Sequence, residues 1–180
     1  GVILVLVFIL YSQVKGSYNN MVSLKENTQK SWSNVETVLQ RRLDLIPNLV
    51  ATVKGYAKHE KETLTAVTEA RAKVAGAGTI PEKIQANGAL SSALSRLMVV
   101  VERYPQLKAN ENFNKLQFEL AGTENRINVA RTRYNQSVEA YNKTIKSFPA
   151  NILAGMFGFT PAEYFKADSA AKTAPKVKFD

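Results

Sequence analysis

The sequence contains no cysteine and a single histidine, His59. The absence of thiols excludes disulfides, cysteine nucleophiles and thiolate metal sites. The pair His59-Glu60 begins an HExxH zinc motif, but Thr63 stands where the second histidine is required. A Ser-His-acid triad has only His59 to use, and that residue lies in a charged stretch. We therefore expect no cofactor and no enzyme active site.

Glycine and proline are also scarce, with nine and six residues among 180. Gly76-Ala77-Gly78 is the one glycine-rich turn, and it lacks the Lys-Ser/Thr that follows in a phosphate-binding loop. No segment shows the alternating pattern of a strand. Apolar residues instead recur at three-four spacing from Tyr18 onward, which predicts long helices and an all-α fold.

A concentrated basic segment is absent, although the formal net charge is +9. Residues 1–50, 51–100 and 101–150 carry net charges of +2, +3 and +3, and basic residues stand among acidic ones throughout. Nucleic-acid-binding proteins usually concentrate positive charge on one face or segment. The distribution argues against nucleic acid as a partner, and electrostatic binding to anionic lipid or nucleic acid remains an alternative function.

The N-terminus is an uninterrupted apolar run as far as Tyr11. As a helix it rises roughly 16 Å, about half of a ~30 Å hydrocarbon core. Because the sequence begins at glycine, we expect further apolar residues ahead of Gly1. A transmembrane anchor over residues 1–14, with the bilayer as partner, is the preferred interpretation. A cleaved signal peptide fits less well because residues 12–16 contain no small-x-small cleavage site. A buried core helix also fits less well because the run has no polar face.

Four helices are predicted after this anchor, packed as an antiparallel bundle over residues 15–149. Thr79-Ile80-Pro81-Glu82 is a capping box with proline in the first turn, and it opens the third helix. Asn110 is the expected cap of the fourth helix, which stops before Pro149. Each of these signals is local to one end of a helix.

Pro47 allows two interpretations of the first helix, a break near this residue or one continuous helix. Proline in a helix interior costs about 3 kcal/mol, but a first turn tolerates it. We predict a break here, with Asp44 capping a new helix and Arg41 and Arg42 ending the previous one, where cations are favoured. A single helix running from the membrane to Val74 is the alternative.

The C-terminal region is predicted to contain a short helical segment over residues 150–166, with a second capping box at Thr160-Pro161-Ala162-Glu163. Residues 167–180 are predicted to form a flexible tail. The segment concentrates apolar bulk, which indicates either a plug at one end of the bundle or a docking patch for a partner, a second copy or the membrane surface. The candidate patch consists of Met156, Phe157, Phe159, Tyr164 and Phe165.

Polar side chains interrupt the apolar stripes of the predicted helices. They are either solvated or form a buried network that sets helix register. Arg131 lies roughly 10 Å from Glu124 along the same helix, which is long for a direct pair, so a partner on another helix such as Arg71 or Arg42 fits Glu124 equally well. The candidate network consists of Arg41, Arg42, Asp44, Arg71, Glu124, Asn125, Arg126, Arg131 and Tyr134.

Two long segments resemble the LemA family. Residues 40–71 (QRRLDLIPNLVATVKGYAKHEKETLTAVTEAR) are similar to its first hallmark segment, and residues 111–149 (ENFNKLQFELAGTENRINVARTRYNQSVEAYNKTIKSFP) to its second. Phe157-Gly158-Phe159 resembles its C-terminal end. The resemblance implies a single-pass protein of the bacterial cytoplasmic membrane with a four-helix domain, and it supplies no activity.

These observations predict a membrane-tethered helical interaction or scaffold protein that forms a homo-oligomer and is not an enzyme. An unrecognised hydrolase or metal enzyme is an alternative. Orientation stays open because the positive-inside rule compares both flanks of a span; the extracytoplasmic side is preferred for the bundle. The oligomer is suggested by apolar residues that lie off the main stripe: Met21, Leu24, Val38, Leu45, Leu49 and Tyr56.

Overall fold

The computed structural model describes residues 1–166, and the predicted tail, residues 167–180, lies outside them. The described residues are mostly helical and contain no strand, so the predicted all-α class is confirmed. The helices are α1 (Val2–Tyr56), α2 (Lys61–Gly76), α3 (Ile80–Val101), α4 (Pro105–Lys108), α5 (Glu111–Lys146) and α6 (Ala150–Phe157).

Two helix caps predicted from sequence are confirmed. Thr79 Oγ1 accepts a hydrogen bond from the Glu82 N–H, and Glu82 Oε2 accepts one from the Thr79 N–H at 3.1 Å. The backbone N–H groups of Gly78 and Thr79 also lower the pKa of the Glu82 carboxyl. At the start of α5, Asn110 Oδ1 accepts a hydrogen bond from the Phe113 N–H at 2.9 Å.

Pro47 lies inside α1, so the predicted helix break is wrong. A proline lacks the N–H that normally bonds to the carbonyl four residues earlier, which here is that of Leu43. Arg71 of α2 supplies a donor in its place, since its Nε lies 2.9 Å from the Leu43 carbonyl oxygen. The neighbouring helix thus satisfies the carbonyl that Pro47 leaves without its usual helical donor, and α1 continues to Tyr56.

The residues assigned to that break accordingly lie within α1 rather than at a helix end. Asp44 caps nothing; it is exposed and accepts a hydrogen bond from Gln40 Nε2 at 2.8 Å. Arg41 is exposed and Arg42 is buried. The first two helices are separated instead at residues 57–60, where no proline marks the turn.

The described residues form two compact units. One holds residues 39–124 together with 165–166, and its core is a bundle to which α1, α2, α3 and α5 all contribute. Short turns join α1 to α2 and α2 to α3, which is the connection expected of antiparallel neighbours. Core side chains include Leu43, Ile46, Leu49, Val53, Leu64, Val67, Leu90, Leu97, Phe113 and Leu120.

The other unit holds residues 1–38 and 125–164. The Trp32 ring packs edge-on against Tyr134, with 5.2 Å between the ring centroids. A second cluster joins Met21 of α1 to Tyr141 and Ile145 of α5 and to α6. This unit therefore gathers the beginning of α1, the later part of α5 and the C-terminal segment.

The short C-terminal helix ends before the predicted second capping box. Gly158, at φ 71°, adopts the left-handed conformation that suits glycine. The Phe159 N–H bonds back to the Ala154 carbonyl at 2.9 Å, which closes α6 in a Schellman arrangement. Residues 159–166 are not helical, so the prediction of a helix opened at Thr160 is wrong. Backbone groups of this stretch bond to side chains of α5 instead.

The beginning of α1 exposes its apolar side chains, and Val2 to Leu10 are each at least 49% exposed. Within the part of the chain that the structure describes, α1 contains the one stretch that is long and apolar enough to cross a membrane, judged by length and composition. None of the other described residues covers this stretch, which supports a membrane-associated N-terminus.

Candidate functional site

Arg42 is the one charged residue that is buried among residues 1–166, at 4% exposure. Its Nη1 donates to Asn87 Oδ1 at 2.9 Å and to Ser91 Oγ at 3.0 Å, both on α3. The same nitrogen lies 3.0 Å from Glu124 Oε2 on α5. One guanidinium on α1 therefore joins three helices of the bundle.

We call Arg42, Asn87, Ser91 and Glu124 the Arg42 cluster. Within it, burial and the charge of Glu124 shift the pKa of Arg42 in opposite directions. Burial lowers the pKa of the Arg42 guanidinium, and the nearby Glu124 carboxylate raises it. Glu124 remains 44% exposed at its side chain, so water shares in its solvation. Arginine stays protonated near neutral pH. The arrangement is suited to holding helices in register.

The predicted polar network is divided among several places. Arg42 and Glu124 meet, whereas Arg71 bonds to the backbone of α1. Tyr134 belongs to the other unit, beside Trp32. The remaining members lie exposed or half-buried on helix surfaces: Arg41, Asp44, Asn125, Arg126 and Arg131. Asn125 and Arg126 line an open groove of about 430 Å³.

Sequence reasoning missed Asn87 and Ser91, the neutral partners of Arg42. A signal was present, because Asn87 lies three residues before Leu90 and thus on the apolar stripe of α3. Ser91 follows Asn87 by four residues and shares its helix face. A polar pair within an apolar stripe indicates a buried polar partner on another helix.

A second polar cluster attaches the C-terminal segment to α5. Asn142 is buried and pairs with the backbone of Ala162 in both directions: its Nδ2 donates to the carbonyl at 2.9 Å, and its Oδ1 accepts from the N–H at 2.8 Å. The preceding residue, Tyr141, donates its hydroxyl to the Thr160 carbonyl at 2.9 Å. We call the side chains of Asn142, Tyr141 and Tyr134, with the backbone groups to which they bond, the C-terminal clasp.

Tyr134 extends the clasp by one heptad along α5. Its hydroxyl donates to the Glu163 carbonyl at 2.8 Å. Burial, and secondarily the charge of Glu163, raises the pKa of Tyr134; burial alone raises that of Tyr141. Both hydroxyls therefore stay protonated and continue to donate. Tyr134 and Tyr141 are both buried, and Asn142 is buried against the C-terminal segment.

Replacing Asn142 by alanine is expected to release the C-terminal clasp. The change removes both bonds to Ala162 and leaves its backbone groups without these partners, which typically costs about 1–3 kcal/mol. Amide hydrogen exchange should accelerate over residues 159–164 and stay unchanged in α2 and α3. Asn151→Ala, at an exposed position on α6, is the control. Equal exchange rates in the two variants would contradict a role for Asn142 in holding this segment.

The candidate docking patch is only partly free. Phe165 is buried, and Phe159 is half-buried beside Tyr18, with 5.7 Å between the ring centroids. Met156 and Phe157 are 72% and 51% exposed. Tyr164 is 40% exposed. The structure thus splits the predicted patch into a part that packs on the chain and a part that faces outward on α6.

Other clusters of polar residues are open to solvent. Within residues 1–166, no three His, Asp or Glu side chains group as a metal would require. An open groove of about 540 Å³ is lined by both α1 and α2, with Lys54, Lys58 and Lys61 among its residues. His59 lies exposed in the turn between these helices.

The fold defines a class: all-helical proteins whose long first helix begins with an exposed apolar stretch. This chain belongs to the LemA family, whose sequence profile matches residues 31–179, so the resemblance of the two hallmark segments is confirmed. It is 31% identical to the magnetosome protein MamQ 2 of Paramagnetospirillum magneticum, over 87% of this chain and 67% of that protein. It is 24% identical to the protein LemA of Metamycoplasma hominis, over 88% of this chain and 73% of that protein.

Proposed function

We propose that this protein is a membrane-tethered helical scaffold that self-associates in the plane of the membrane. The observation that carries the proposal is the continuity of α1. The exposed apolar stretch from Val2 to Leu10 and the bundle core residues from Leu43 to Val53 belong to one uninterrupted helix. The element that anchors the chain is thus also an element of the bundle.

The use of buried polar groups supports a scaffold over an enzyme. The Arg42 cluster links three helices, and Asn142 attaches the C-terminal segment to α5. Both arrangements use charge-assisted or paired hydrogen bonds to fix one packing. The names of the similar proteins, magnetosome protein MamQ and protein LemA, refer to no catalysed reaction.

Self-association is supported by confinement and by exposed apolar side chains. An anchor restricts copies to two dimensions, which raises their effective concentration and makes weak lateral contacts effective. Phe118 on α5 is 80% exposed and Val99 on α3 is 71% exposed. Met21 and Leu49, two of the off-stripe residues that suggested an oligomer from sequence, are fully buried and supply no such surface.

Crosslinking in intact membranes tests the proposal, because the chain has no native cysteine. The variant Phe118→Cys should form disulfide-linked dimers under mild oxidation more readily than Gln85→Cys, an exposed polar position on α3. Protein extracted in detergent should show a mass above the 19.9 kDa of one chain. A monomer mass at all concentrations, with equal and low crosslinking of both variants, would remove self-association and leave a monomeric tether.

A further inference from the structure

Helix α6 has one apolar face that the other residues among 1–166 leave uncovered. Ala154 is buried and Leu153 half-buried against Met21 and the end of α5. On the opposite side of the helix, Ile152 and Met156 lie one turn apart and are 54% and 72% exposed. Phe148, just before α6, is 82% exposed. A short helix that is apolar on both sides and covered on one is expected to have a second apolar neighbour.

The position of α6 in its unit points to the membrane. The Phe157 ring lies edge-on against Tyr18, with 4.9 Å between the ring centroids. Tyr18 follows Val14, the last residue of the predicted anchor, by four residues, which is about 6 Å along a helix. Interfacial helices bury their apolar face roughly 5–10 Å into the boundary between headgroups and acyl chains. The contact between Phe157 and Tyr18 thus holds α6 close, along α1, to the end of the predicted anchor.

The charges around α6 suit an anionic surface. Lys15 and Lys25 on α1 and Lys143 and Lys146 at the end of α5 are all exposed. No carboxylate side chain occurs in residues 1–25 or in residues 140–162. Basic side chains flanking an apolar helix are the combination that binds anionic lipid headgroups. Aromatic rings such as those of Tyr18 and Phe157 favour the same interfacial depth.

We propose that the outer face of α6, formed by Phe148, Ile152 and Met156 with the edge of Phe157, inserts into the headgroup layer of the membrane that anchors α1. The surrounding lysines face anionic headgroups. The inference rests on the proposed anchoring by residues 1–14 and adds a second, peripheral lipid contact. The C-terminal clasp then holds α6 beside the anchor. The hydrogen bonds of Asn142 and Tyr141 would thereby contribute to membrane binding by keeping α6 in position.

Site-specific fluorescence on the full chain tests this contact. Single variants Met156→Cys, Leu6→Cys and Gln85→Cys carry an environment-sensitive dye and are reconstituted into vesicles of phosphatidylcholine and phosphatidylglycerol. Leu6 reports the anchor, and Gln85 is an exposed polar residue of the other unit. A spin-labelled lipid should quench the dyes at positions 156 and 6 by roughly twofold or more. Aqueous iodide should quench the dye at 85 and spare the other two.

The quenching pattern distinguishes a lipid contact of α6 from exposure to water and from cover by a second copy. A dye at 156 that iodide reaches as easily as the dye at 85 overturns the lipid contact. A dye at 156 shielded from both quenchers indicates that a second copy covers α6, and this also overturns it. If the dye at 6 is not reached by the spin-labelled lipid, the anchoring proposal itself fails. Ile152→Cys repeats the measurement on the same face, and phosphatidylcholine alone should weaken lipid quenching at 156 while leaving position 6 unchanged.

Discussion

Replacing Arg42 by alanine is expected to lower the free energy of unfolding by about 3–5 kcal/mol. The substitution removes a side chain that is 4% exposed and opens a cavity where three helices meet. It also leaves the buried Asn87 without the donor at its Oδ1. For a chain of this size the melting temperature should fall by roughly 10 °C or more. Circular dichroism at 222 nm on the full chain in detergent measures the change.

A charge substitution on the partner separates the ion pair from the packing. Glu124→Gln keeps the shape of the side chain and removes its charge, and we expect a smaller loss of about 1–2 kcal/mol because Glu124 is 44% exposed. Glu139→Gln, an exposed position on the same helix, should change stability by no more than about 0.5 kcal/mol. If Arg42→Ala melts within error of Glu139→Gln, the buried arginine does not hold the bundle together.

The features predicted correctly from the sequence depend on neighbouring residues. The Thr79–Glu82 capping box and the Asn110 cap each involve residues within three positions, so their pattern is sufficient. The three-four spacing likewise reports which face of a helix is apolar before any partner is known. These local signals were enough to predict the all-α class.

The two wrong predictions, at Pro47 and at Thr160, have one feature in common. At each place the backbone is hydrogen-bonded by a side chain that is distant in the sequence. At Pro47, where a break was expected, Arg71 on another helix donates to the Leu43 carbonyl that the proline leaves without its helical donor. The capping pattern at Thr160 is overridden because Tyr141 and Asn142 bond to the backbone there. In both places a local rule describes the isolated segment correctly, and tertiary hydrogen bonds then change which conformation is stable.

The candidate site could be predicted only in part for the same reason. The distance to Arg131 makes a partner for Glu124 on another helix as compatible as Arg131 itself, and Arg42 is one of the two residues on other helices that fit. Choosing between Arg42 and Arg71 required the helix packing, because both lie on predicted helices beside apolar residues. Asn87 and Ser91 indicate a buried polar partner on another helix but do not identify it, because Arg42 lies 45 and 49 residues away in the sequence.

Arg71 is expected to contribute most to the free energy of unfolding when residue 47 is a proline. Replacing Arg71 by methionine keeps an extended apolar stem and removes the donor 2.9 Å from the Leu43 carbonyl. The loss of a hydrogen bond from a charged group to a partly buried carbonyl should lower the free energy of unfolding by about 1–3 kcal/mol. Pro47→Ala restores a backbone N–H at that position, and the carbonyl of Leu43 regains its helical donor.

The two substitutions should therefore be coupled. In the Pro47→Ala background, Arg71→Met should cost at least about 1 kcal/mol less than in the natural chain, which is a coupling energy expected of residues that share a partner. Lys73→Met, at an exposed position two residues further along α2, is the control and should show no coupling to residue 47. Chemical denaturation of the four combinations and of the control pair gives the cycle. An equal effect of Arg71→Met in both backgrounds would mean that Arg71 acts through packing or charge alone, and that α1 tolerates Pro47 for another reason.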